Sequence, residues 1–181
     1  MLDAVLHEAE LTRSDLDRVA FANGPGAFTG VRIAAATAQG IALGLQIPLI
    51  GVSTLAVLAQ QVADSRGLDA VQAMIDARMD EAYVGLYRRD AGGILRVQGE
   101  ERLLPLDALR CPDAVYCAGS ALRALQAAGL PLPEGDADAL PDAAALARIA
   151  GHLAEQGAGA DEAPINYLRN RVAVRKTPTV Y

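Results

Sequence analysis

Hydrophobic positions along the chain switch between helical and extended periods, and the elements follow from that switching. Residues 1–10 carry Leu2, Val5, Leu6 and Ala9 at helical spacing, with no capping residue ahead of them. A polar turn at 12–17 precedes the apolar run 19–22, a short buried strand. That strand feeds Asn23-Gly24-Pro25-Gly26, where glycine tolerates positive φ and proline fixes its own, so a tight bend is expected. Thr29 is placed to cap a helix from Gly30 to Leu45. Pro48 ends that helix, residues 49–52 form a second short strand, and Ser53 caps a helix reaching residue 65.

The second half reads differently. Residues 71–76, 82–88 and 94–102 are three strands of a meander, with Asp90-Ala91-Gly92-Gly93 as a strong hairpin turn. A short helical piece at 106–109 leads to a strand at 114–118 and a helix at 120–128. The Pro- and Gly-rich connection 129–141 has room for a brief strand. Asp142 caps a final amphipathic helix to about residue 156, with Leu146, Ile149 and Leu153 on its apolar face. The chain therefore divides into a first lobe at 1–66, a second lobe at 67–157 and a basic tail at 158–181. The two lobes end alike, but the first lacks the three leading strands of the second. Two short strands make a poor sheet with unpaired edges, so the first lobe is expected to be incomplete and the chain to be missing its start.

The helix at 30–45 is built almost wholly of small residues. Ala34, Ala38 and Ala42 recur every four positions beside Ala35, Ile41 and Leu45, and Gly40 and Gly44 each cost about 1 kcal/mol of helix propensity relative to alanine. Such a face suits close approach of another backbone. Two surfaces qualify: this chain's own sheet, or a second chain.

Composition narrows the class. The 181 residues are 52% hydrophobic and 21% charged, with no Trp and two Phe, so the core must be built from Ala, Leu, Val and Ile. A net charge of −6 argues against a general nucleic-acid or anionic-membrane surface. No signal-peptide pattern opens the chain, which reads as cytoplasmic. Cys111 and Cys117 flank a predicted strand with no histidine near and are read as buried thiols, too few for a closed zinc site. His7 and His152 lie in different lobes, and Ser53 is explained as a cap, so no triad is supported. The tail from residue 165 holds Arg169, Arg171, Arg175 and Lys176 and no acid; without its four charges the total of −6 becomes −10 for residues 1–164. Those four residues are candidates for contact with RNA or an acidic partner, or for the solvated face of a strand.

The stretches NGPGAFTGVR, AQGIALGLQIPLIGVSTL, MIDARMDEAYVGLY and PINYLRN together resemble the bacterial TsaB (YeaZ) family across nearly the whole chain. That resemblance implies the α/β, two-lobed fold of sugar kinases, Hsp70 and actin (ribonuclease H-like). Its first lobe opens with a three-stranded meander that has no counterpart here, so Met1 matches an internal methionine of family members. Ala27 stands where members commonly have Ser. The resemblance also implies a role in tRNA processing, the making of threonylcarbamoyladenosine. Family members are non-catalytic subunits that pair with a TsaD-like catalytic protein, joined by a TsaE-like ATPase, through the first helices of the first lobes. The partner-binding candidates here are then Leu2, Val5, Leu6, Gly30, Ala34, Ala38, Ile41 and Leu45. A two-fold homodimer through the same face is also expected, with tRNA reached through the complex.

Phosphate chemistry has little support in the residues. GPGAFTG has no lysine and is no Walker A loop, so Gly24, Pro25, Gly26 and Thr29 are read as a structural turn. In the superfamily a glycine-containing hairpin of the second lobe also grips phosphate. Its counterpart here, residues 76–81, has no glycine and carries Asp76, Asp80 and Glu81, which would repel phosphates. No cofactor, metal or catalytic residue is expected. The alternative function is a stand-alone ATP-dependent phosphotransferase of the same superfamily.

Overall fold

The computed structural model describes residues 2–155 and 164–168. In order the elements are α1 (Leu2–Glu8), β1 (Val19–Ala22), α2 (Phe28–Leu45), β2 (Leu49–Val52), α3 (Thr54–Arg66), β3 (Ala70–Arg78), β4 (Glu81–Arg89), β5 (Leu95–Val97), β6 (Arg102–Pro105), β7 (Tyr116–Ala118), α4 (Ala121–Ala127), β8 (Gly135–Asp136) and α5 (Ala143–Glu155). Single 3-10 turns lie at Arg13–Asp15 and Leu106–Ala108.

Caps set three of the helix boundaries. Ser53 Oγ accepts from the Leu55 N–H at 3.2 Å, and Asp142 Oδ1 from the Ala145 N–H at 2.7 Å. Gly67 closes α3 in the left-handed region at φ 67°. Two strands are shorter than their hydrophobic patterns predict. The expected strand 94–102 is two strands, because Gly99 at φ 82° breaks the ladder between β5 and β6. The expected strand 114–118 begins only at Tyr116, since Ala114 sits at φ 59° in a turn closed by Val115 N–H to Pro112 O.

Among the described residues β1 and β2 form a parallel two-stranded sheet, with Val19 opposite Leu49 and Ala22 opposite Val52. The second sheet runs β5-β4-β3-β7-β8, with β6 also paired to β4. β3 lies antiparallel to β4 and parallel to β7. The hairpin joining β3 to β4 is tight: Arg78, Met79 and Asp80 all have φ near +60° (64°, 58° and 58°), a left-handed run without a glycine.

Packing crosses the lobe boundary expected at residue 66. From α3, Leu55, Leu58, Ala59, Val62 and Ala63 pack with Val71, Ala73, Tyr87, Leu95 and Ala118 of the second sheet. From α5, Ala145, Ile149 and Ala150 return to Ile50, Val52 and Val57 of the first half, with Ile94 completing the cluster. Each helix thus serves the sheet of the other half of the chain. An apolar stripe is visible in sequence, but nothing in its period says which sheet will cover it.

Candidate functional site

The bend after β1 leaves the left-handed region to Gly24, at φ 103°, and passes through a cis Gly24–Pro25 bond to Gly26. It is held from several sides. Thr54 N–H donates to Gly24 O at 2.8 Å and Asn23 N–H to Val52 O at 2.9 Å, while Asn166 N–H reaches Asn23 O at 2.8 Å. A side chain at Gly24 would bring its Cβ to 2.9 Å from Asn166 O. Helix α2 starts at Phe28, earlier than expected, with Ala27 in extended geometry at the cap and no side-chain cap bond. Thr29, expected as the cap, is therefore the second residue of the helix and exposed. Chain direction set by the bend, not a hydroxyl, begins this helix.

Helix α2 has two dissimilar faces. Inward, Ala35, Ala38 and Ala42 are buried and pack with Phe21 and Leu49, with Ala34 beside them. Outward lie Ile33, 61% exposed, and Leu43, 81% exposed, with Ala36, Gly40 and Gly44 between and beyond them. Among the described residues a Cβ built on Gly40 or Gly44 would meet nothing within 4 Å, so their packing does not require glycine there. The small-residue face of the sequence is thus two faces. Of the partner candidates, Ala38 and Leu6 are buried in this chain; Leu2, Val5 and Gly30 are exposed; Ala34, Ile41 and Leu45 are half-buried. The expectation that Ala38 faces outward is corrected, because the sheet takes that side of the helix. Ile33, Ala36 and Leu43 were missed for the same reason. Branched and long apolar residues at helical spacing look like core until the sheet's position is known.

A cavity of about 700 Å³ opens at the N-terminus of α2, lined among others by Pro25, Phe28, Arg32, Asp76, Arg78 and Tyr167. Arg32 in its lining is held by two aromatic residues: its guanidinium lies 3.7 Å from the Phe28 ring centroid, and its Nε donates to Tyr167 Oη at 3.0 Å. Asp76 is paired with Arg78 at 3.1 Å and accepts from the Arg78 N–H at 2.8 Å. The cation nearest that carboxylate therefore already has an anion. Among the described residues no three His, Cys, Asp or Glu side chains converge to hold a metal ion.

Residues 164–168 bridge the two halves. Asn166 binds Asn23 O through its backbone and donates from Nδ2 to Glu101 Oε2 at 2.8 Å; Asn23 Nδ2 donates to Pro164 O at 2.9 Å. Tyr87 Oη donates to the other Glu101 oxygen. Burial and the adjacent Glu101 charge push the Tyr87 phenol well above its ordinary range, so it stays a donor. The expected tail takes in this segment, and its motif PINYLRN marks it in the sequence without indicating a bridge between the halves. Arg169, Arg171, Arg175 and Lys176 lie outside the described residues.

Helix α2 is long and apolar enough, by length and composition, to cross a membrane. In the fold it lies along β1 with its alanines in the core.

The sequence matches the family profile "TsaD: tRNA N6-adenosine threonylcarbamoyltransferase" over residues 1–134. With its two sheets and shared helices, the chain has the α/β fold of the actin-like class. It is 36% identical to the tRNA threonylcarbamoyladenosine biosynthesis protein TsaB of Escherichia coli K12, over 98% of this chain and 81% of that one. A TsaB protein of Haemophilus influenzae is 43% identical over 46% of this chain and 35% of its own. The solved structure of YeaZ from Pseudomonas aeruginosa superposes with a TM-score of 0.86 at 40% identity, covering 93% of this chain and 82% of that one. The chain belongs to the TsaB (YeaZ) family.

Proposed function

We propose that this chain acts in the biosynthesis of threonylcarbamoyladenosine in tRNA as a non-catalytic subunit, docking a TsaD-like transferase through the outer face of α2, with Leu2 and Val5 of α1 contributing. The observation that carries this reading is the outward stripe of Ile33, Ala36, Gly40, Leu43 and Gly44, apolar and small, with none of the described residues over the two glycines. An exposed apolar helix face with glycines open to close approach is a docking surface rather than a solvent face. Sharing one family profile with the transferases supports a pseudo-symmetric pairing, in which the same helix of each protein meets across a near two-fold axis. A TsaE-like ATPase joins the pair, a homodimer uses the same face when the transferase is absent, and tRNA is met by the complex in the cytoplasm.

Non-catalysis is supported by the phosphate loops. The bend before α2 has no lysine, and the β3–β4 hairpin presents Asp76, Asp80 and Glu81. The test is a binding titration against the TsaD protein of the same organism. Leu43→Asp is expected to weaken binding about tenfold or more while leaving the melting temperature unchanged. Undiminished binding by that folded variant would overturn the reading. The phosphotransferase alternative has the α2 cavity in its favour, and calorimetry with magnesium and ATP on the isolated chain separates the two: heat of tight binding would favour it.

A further inference from the structure

The chain has two cysteines, and the fold brings them together. Cys117 is buried in the middle of β7, between β3 and β8, while Cys111, expected to be buried, is only half-buried in the turn before that strand. Their Sγ atoms are 3.1 Å apart. A disulfide requires an approach of only about 1 Å more. The turn is held in place by Gln72, the β3 residue opposite Cys117, which is 3% exposed. Its Nε2 donates to Arg110 O at 3.1 Å and points at Cys111 Sγ from 3.6 Å.

We propose that Cys111 and Cys117 form a modification site, a dithiol that a low-molecular-weight disulfide of the glutathione class converts reversibly into an intramolecular disulfide. The roles of the two sulfurs follow from their surroundings. Cys111 receives the Cys117 S–H and the Gln72 amide and is reachable from solvent, so it attacks first. The hydrogen bond from Cys117 outweighs burial and holds the Cys111 thiol below its ordinary range, whereas the same bond and burial push Cys117 up. Attack by the Cys111 thiolate breaks the S–S bond of oxidised glutathione; one glutathione leaves and takes up the proton that Cys111 lost. Cys117 then gives up its proton and attacks Cys111 Sγ, and the second glutathione leaves with that proton. Two protein thiols are oxidised, one glutathione disulfide is reduced to two thiols, and no other reactant is needed.

The pairing is independent of the partner reading, and its test uses the isolated chain. Incubation with oxidised glutathione is expected to take titratable thiols, counted in denaturant, from two to none. The intact mass is expected to fall by about 2 Da for the hydrogens lost, with full reversal by dithiothreitol. Cys117→Ser is expected to accumulate a glutathione adduct on Cys111, and Cys111→Ser to leave Cys117 unreacted. Retention of both thiols in the wild type, a stable adduct on Cys111 or disulfide-linked dimers would each overturn the proposal. The wild-type mass and thiol count decide the matter even where a variant fails to fold.

Discussion

The two halves of this chain place their apolar residues differently. In the second sheet Val71, Ala73, Met74, Ala82, Cys117 and Ala118 are fully buried, whereas six of the eleven large hydrophobic residues exposed among the described ones lie within the first 45 positions: Leu2, Val5, Leu11, Phe28, Ile33 and Leu43. The second sheet closes its core beneath α3; the first sheet takes α5 and residues 164–168 for cover and still leaves apolar side chains open. A two-stranded sheet cannot bury much by itself. The uncovered surface therefore gathers on the elements around it, and that is where a second chain has most to gain.

The largest effect should come from the closed core. Leu55→Ala, at a position with no exposure, is expected to cost about 2–5 kcal/mol in denaturant unfolding. A smaller cost would mean that α3 is not packed on the second sheet as described. Next come two substitutions on opposite sides of one helix. Ala38→Leu pushes a larger side chain between α2 and Phe21 and should destabilise by about 1–3 kcal/mol. Ala36→Leu adds the same atoms on the open side and should stay within about 0.5 kcal/mol of wild type. Equal effects from the pair would erase the distinction between the two faces.

Loss of the bridging segment should be of similar size. Asn166→Ala removes a donor to Glu101, whose other oxygen is held by Tyr87, and is expected to cost about 1–3 kcal/mol, with faster proteolysis after the first half loosens. The smallest effect is electrostatic. Burial of Asp64 is outweighed by hydrogen bonds from Gln60 and Arg89 and by the charges of Arg148 and Arg89, so its pKa lies below the ordinary 3.8. A depressed carboxylate favours folding in its ionised form. That stabilisation is complete above 3.8 and disappears as pH falls through the lower folded value. Asp64→Asn should therefore flatten the acid end of the stability profile and leave its slope near neutrality unchanged.

Much of this was readable from local chemistry. Ser53 and Asp142 marked helix starts because a short oxygen-bearing side chain satisfies a free N–H one turn in, wherever the helix goes next. The bend at Gly24-Pro25-Gly26 announced itself through residues with few backbone choices. The hairpin at Asp90 did so as well: its Oδ1 accepts from the Gly92 and Ile94 N–H groups, a contact within five residues. Thr29 misled because a capping residue was assumed where the backbone had already turned. Ala38 misled because spacing reveals a face without revealing what lies opposite.

By itself, then, the sequence determined the order of elements, their caps and turns, and membership of a family whose motifs run through the chain. Those are short-range or pattern-borne properties, fixed by φ, by hydrogen bonds a few residues long and by residue identity. The tertiary structure alone decided which side of α2 is core, that α3 covers the second sheet and that α5 covers the first. It alone joined Asn166 to Glu101 and set Cys111 against Cys117. Each of these depends on contacts between residues far apart or on different elements, where burial of apolar surface chooses among several faces that the sequence leaves equally available.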